Sequence, residues 1–92
     1  MARPIESQLY SELVDSRFQF IERGIKEIKE IYELVQQEYP QLCDNEYPCQ
    51  HHRGIVLPQS EWKHTVRNAL SRCSKIYDIV KFSGRKGYWI FL

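Results

Sequence analysis

The sequence predicts a small α+β domain in which helices come first and a β-hairpin comes last. Three observations carry this. Apolar residues recur at helical spacing between positions 21 and 35, and a second such pattern opens at Ser60. Two β-rich runs, 76–82 and 88–92, are then joined by Ser83-Gly84-Arg85-Lys86-Gly87. At 92 residues the chain has the size of one domain, 1–92, and 12 aromatics are enough to fill a core without disulfides.

Composition excludes several classes. With 42% hydrophobic and 27% charged residues, the chain reads as globular, not disordered. No apolar run approaches the ~18 residues that span a membrane. The first four residues, Met1-Ala2-Arg3-Pro4, lead into no signal-peptide core, so no membrane association is expected. Three cysteines are an odd number for a disulfide framework, and a reducing, cytoplasmic setting is the expectation. A domain this size has little room for a large cleft. A binding module, not an enzyme, is expected.

In order along the chain, residues 1–39 read as helical. Ser7 is a candidate cap for a short segment carrying Leu9, Tyr10, Leu13 and Val14, and Asp15-Ser16 offers a break. From 17 to 38 no proline intervenes, and Ile21, Ile25, Ile28, Tyr32 and Val35 fall on one helix face, widened by Ile31 and Leu34. Glu22 and Lys26 stand in the favourable order for an exposed pair one turn apart. Pro40 stops the helix at or before Tyr39. This apolar stripe can be the core face of its own domain or a seam for a second copy. Ile28 is expected in the core, with any dimer contact supplied by Leu9, Leu13 and the helix's outer edge.

Residues 40–92 are expected to hold the recognition elements. The segment 40–58 is broken by Pro40, Asp44-Asn45, Pro48, Gly54 and Pro58, with Gly54-Ile55-Val56-Leu57 as a brief strand. Ser60 is a good N-cap, and Trp62, Val66, Ala69, Leu70 and Cys73 define the buried face of a helix over 60–73. Lys63, His64, Arg67, Asn68 and Ser71 fall on the opposite face. In the final run Tyr88, Ile90 and Leu92 alternate with Trp89 and Phe91, so both faces of that strand are apolar. One must meet the helices, and the other is expected to lie under the long helix or another chain.

Charge is distributed unevenly. Residues 1–52 carry five Lys/Arg against ten Asp/Glu, while residues 53–92 carry eight against two, so a net +1 hides an acidic half and a basic half. That is a candidate footprint for a polyanion. Helix, short strand, helix and a hairpin with a basic tip make a winged helix-turn-helix arrangement, here with extra N-terminal helical segments. A donor-rich helix suits the major groove of duplex DNA, and Arg85 and Lys86, flanked by glycines, suit phosphates. Candidate DNA-binding residues are therefore Lys63, His64, Arg67, Asn68, Ser71, Arg85 and Lys86. Trp62, Tyr88 and Trp89 are expected in the core or sheet instead of stacking on bases.

The run Pro58-Gln59-Ser60-Glu61-Trp62-Lys63-His64-Thr65-Val66-Arg67-Asn68-Ala69-Leu70, followed by Gly84-Arg85-Lys86-Gly87-Tyr88-Trp89, resembles the winged-helix domains attached to Mrr- and HNH-type restriction endonucleases. The resemblance covers about residues 55–92. It departs at Ser74-Lys75-Ile76-Tyr77-Asp78, where those domains more usually have a Gly-Leu-Ile turn. It implies a module that recognises double-stranded DNA, alone or within a larger parent protein of a restriction or regulatory system. No nuclease motif accompanies it. The alternative is a winged-helix module for protein interaction or dimerisation, without direct DNA contact.

Cys43, Cys49, His51 and His52 offer zinc-compatible side chains, but the five-residue gap between the cysteines departs from structural zinc spacing. No metal, cofactor or catalytic residue is expected, and the thiols are read as free or buried.

Overall fold

Pro4 begins helix α1, Pro4–Ser16, at the first helical position, where the missing N–H of proline costs nothing. The computed structural model describes residues 3–49, 59–78 and 80–92. The order is α1, strand β1 (Gly24–Glu27), helix α2 (Ile28–Glu38), a 3-10 turn at Pro40–Leu42, helix α3 (Glu61–Ile76), then strands β2 (Val80–Phe82) and β3 (Tyr88–Phe91). The fold is α+β, three helices with a three-stranded antiparallel sheet in the order β1-β3-β2.

Helix α1 starts upstream of the expected cap. Arg3, not Ser7, occupies the N-cap position, and the Ser7 N–H donates to the Arg3 carbonyl. Leu9 and Leu13 are fully buried, so they are core residues and cannot supply a dimer contact. The helix ends at Ser16, the break read from Asp15-Ser16. Arg17 and Phe18 both take positive φ, 55° and 54°, and the Arg17 N–H closes the end on the Val14 carbonyl. A left-handed backbone costs a non-glycine residue about 1–2 kcal/mol. Phe18 is fully buried against Phe20 and Phe91, and such burial contributes about 2–3 kcal/mol, so packing offsets the strain.

The long helix expected over 17–38 is therefore corrected. Its first half is a turn and a strand. Gly24, at φ 127°, turns the chain into β1, which pairs with β3 in the register Gly24↔Phe91 to Glu27↔Tyr88. The expected stripe splits accordingly. Ile21, Tyr32 and Val35 are buried and Ile28 is partly so, but Ile25 is 67% exposed on the sheet. The expected Glu22–Lys26 pair does not form in a helix; Lys26 reaches Glu30 at 3.6 Å instead. Helix α2 ends before Pro40, as proline requires.

The helices pack with α1 chiefly on α3, and Trp62, Val66, Ala69, Leu70 and Cys73 form the buried face of α3. This helix runs three residues beyond the expected 60–73, to Ile76, which shortens the expected 76–82 strand to Val80–Phe82. Asp78 follows the helix at φ 56°, a left-handed position that glycine often fills and aspartate tolerates. The expected strand over 54–57 lies outside the described residues. No helix among the described residues is long and apolar enough to cross a membrane.

Candidate nucleic-acid interface

The start of α3 is set by the segment before it. The Glu61 N–H donates to the Tyr47 carbonyl at 3.0 Å, and the Cys49 N–H donates to the Gln59 carbonyl at 2.7 Å. Ser60 occupies the N-cap position but makes no side-chain cap; its hydroxyl donates to the Asn45 carbonyl at 3.1 Å. The Trp62 indole N–H donates to the Asn45 side chain at 2.9 Å. With Trp62 buried and Thr65, Val66, Ala69 and Leu70 below it, the opposite side of α3 faces solvent.

Five of the seven expected site residues lie on α3, in two environments. Lys63, His64 and Arg67 are half-buried along the side nearest α2. The Lys63 ammonium stands 5.5 Å from the Tyr32 ring centre and 5.7 Å from that of Trp62, distances of a cation–π contact. The Arg67 guanidinium approaches His64 Nδ1 at 3.4 Å, while its Nε is buried with no hydrogen-bond partner among the described residues. Burial raises the Tyr32 phenol above its usual range, and the Arg67 charge opposes that rise. Asn68 and Ser71, in contrast, are exposed.

Two cations that sequence reasoning missed continue this surface. Arg72 and Lys75 are both exposed on α3. The signal was available in their spacing: Lys75 falls four residues after Ser71, on the same helix face, once the helix continues past Cys73. The only carboxylate of α3, Glu61, is buried in its first turn. The solvent side of the helix is thus cationic and polar, with no acid to repel a phosphate.

Arg85 and Lys86 are exposed in the turn between β2 and β3. Gly84 and Gly87 bracket them at φ 87° and 85°, a backbone that a side chain would strain. The Ser83 hydroxyl donates to the Tyr88 carbonyl at 3.0 Å and accepts the Arg85 N–H at 3.2 Å, closing the turn. The Gly87 carbonyl accepts the Ile28 N–H at 2.7 Å, fixing the turn to the start of α2. The Arg85 guanidinium lies 4.4 Å from the Tyr88 ring centre. Trp89 packs against the core, and its ring meets Phe82 edge-on at 5.6 Å.

The cysteines have a different character. Cys43, Cys49 and Cys73 are all buried, and Cys43 and Cys73 are free thiols. Burial pushes the Cys43 thiol up to about 11 and also raises Cys73, the latter opposed by the Arg17 charge. Among the described residues no three His, Cys, Asp or Glu side chains are grouped to hold a metal. His51 and His52 lie outside the described residues. Comparison with protein-family models, curated proteins and solved structures finds no match to this chain.

Proposed function

We propose that this chain is a winged-helix domain that binds double-stranded DNA without catalysing a reaction on it. It would serve as the recognition module of a restriction-type or regulatory system. The element order supports the reading: a strand between the first two helices, then α3, then a hairpin whose second strand pairs with both others. One observation carries it. The solvent side of α3 bears Lys63, His64, Arg67, Asn68, Ser71, Arg72 and Lys75 with no exposed carboxylate, and the same fold presents Arg85 and Lys86 on a glycine-bracketed turn.

The two groups suit different tasks. Asn68 and Ser71, free of packing, have the donors and acceptors that read base edges, and Arg67 has the fork that suits guanine. Lys75, Arg72, Arg85 and Lys86 suit phosphates, which fix register without sequence information. The resemblance of 55–92 to the DNA-recognition domains of restriction endonucleases points the same way.

Duplex binding measured against salt tests the proposal. About five phosphate contacts give a log–log slope of roughly −4 to −5. A flat dependence, or equal retention on an acidic protein column, would overturn it.

A further inference from the structure

Alternation along the strands sorts the sheet into two faces. Val80 and Phe91 are buried against the helices, with Trp89 on their side. Ile90 points the other way, directly between Ile25 of β1 and Lys81 of β2, its cross-strand partners. Tyr88 shares that outer face and pairs with Glu27. Ile25 is 67% exposed and Leu92, beyond the end of β3, is 56% exposed. The long helix expected to cover this face is shortened to α2, because Gly24–Glu27 form β1 within the sheet instead.

The charges around the apolar centre are arranged asymmetrically. The β1 edge carries Glu27, and the β2 edge carries Lys81. Such a surface is complementary to itself. A two-fold axis parallel to the strands lays β3 on β3 and puts β1 of one copy over β2 of the other. In this arrangement Ile25 of one copy lies over Lys81 of the other, and Glu27 falls two residues further along the strand. The long Lys81 side chain spans that distance of about 7 Å, so acid meets base twice on the diagonal, on either side of the β3 strip. Lys81 lies 3.8 Å from Asp78, but both are more than half exposed, so water leaves that pair too weak to compete.

We propose that the outer face of the sheet is the contact between two copies of this chain, which leaves the solvent side of α3 free. The charge pattern selects a second copy over DNA, which has no cation to meet Glu27, and over an unrelated protein, which would have no cause to match it under a two-fold axis. The proposal stands independently of DNA binding. Three short strands offer a small face compared with the ~800 Å² per partner of a standard interface, so the dimer is weak, with Kd in the micromolar range.

Sedimentation of the whole chain without DNA, from about 1 to about 500 μM, tests this. The parent is expected to pass from monomer to dimer. Ile25→Glu changes an exposed side chain, so it should keep the parent's circular dichroism and Tm while weakening association at least about tenfold. Glu27→Lys and Lys81→Glu should each weaken association, and the two together should restore it. Glu27 makes no side-chain cap on α2, so its reversal breaks no capping hydrogen bond, and the circular dichroism and Tm of the single variant register any effect on the helix start. A parent that stays monomeric throughout, or an Ile25→Glu variant that associates like the parent, overturns the proposal. So does a double reversal no better than either single change.

Discussion

The Trp62 indole N–H donates to the side-chain oxygen of Asn45 at 2.9 Å, tying the first turn of α3 to the segment after the 3-10 turn. Asn45 also accepts the Ser60 hydroxyl through its backbone carbonyl. Asn45 thus holds two side chains at the start of α3, while the Tyr47 carbonyl accepts the backbone N–H of Glu61 at 3.0 Å.

Asn45→Ala should leave the indole N–H of a buried tryptophan unpaired. A loss of about 1–2 kcal/mol is expected, or roughly 4–8 °C in Tm for each kcal/mol in a domain this size. Thermal and urea unfolding check this; an unchanged midpoint would show that the contact does not hold α3.

Acid stability should depend on Asp44. The Glu46 N–H and then the Arg3 guanidinium hold its carboxyl below the usual range. A depressed folded pKa stabilises the fold above the unfolded value, near 3.9, and that contribution is lost as pH falls through the folded value. Asp44→Asn should therefore flatten the decline in stability between about pH 4 and the folded value. Arg3→Met should do more harm at neutral pH, because it also strips the partner from Glu6, which is 2% exposed. If Asp44→Asn leaves the pH profile unchanged, the Arg3–Asp44 contact does not persist in solution.

The buried thiols should be slow to react. With Cys43 near 11 against an ordinary 8.5, its thiolate fraction at neutral pH falls by about two orders of magnitude. In a Cys49→Ser background, labelling of Cys43 should lag behind a free cysteine by at least that factor. Cys73, whose thiol burial also raises, should lag too, and both should catch up in denaturant. Labelling of the folded protein at the free rate would refute the packing. The purified chain should also hold no stoichiometric zinc; one zinc per chain by elemental analysis would bring Cys43, Cys49 and His51 together as ligands.

The DNA proposal separates two sets of variants. Arg67→Ala and Asn68→Ala should each lose about 1–3 kcal/mol on a preferred sequence and relax the preference. Arg72→Ala, Lys75→Ala, Arg85→Ala and Lys86→Ala should weaken all duplexes alike and flatten the salt slope by about one each. Binding unchanged in all six would place the contact elsewhere.

Helix α3 was legible in the sequence because a helix is written locally. Trp62, Val66, Ala69, Leu70 and Cys73 meet on one face whatever surrounds them, and the polar residues between them must face away. That is why the α3 candidates could be named in advance, while Arg72 and Lys75, past the last apolar marker, were missed. The hairpin turn was legible for a similar reason, since Gly84 and Gly87 advertise a backbone other residues avoid.

Residues 17–27 show the other case. Ile21, Ile25 and Ile28 satisfy helical spacing as well as the α3 residues do, yet Ile25 ends on an exposed sheet face. What decides them is Gly24–Glu27 pairing with Tyr88–Phe91, at the far end of the chain, together with the burial of Phe18 on Phe91. Local periodicity records which side chains could share a face. Whether that face is needed depends on where distant strands present their unpaired N–H and C=O groups, and only the assembled fold supplies that.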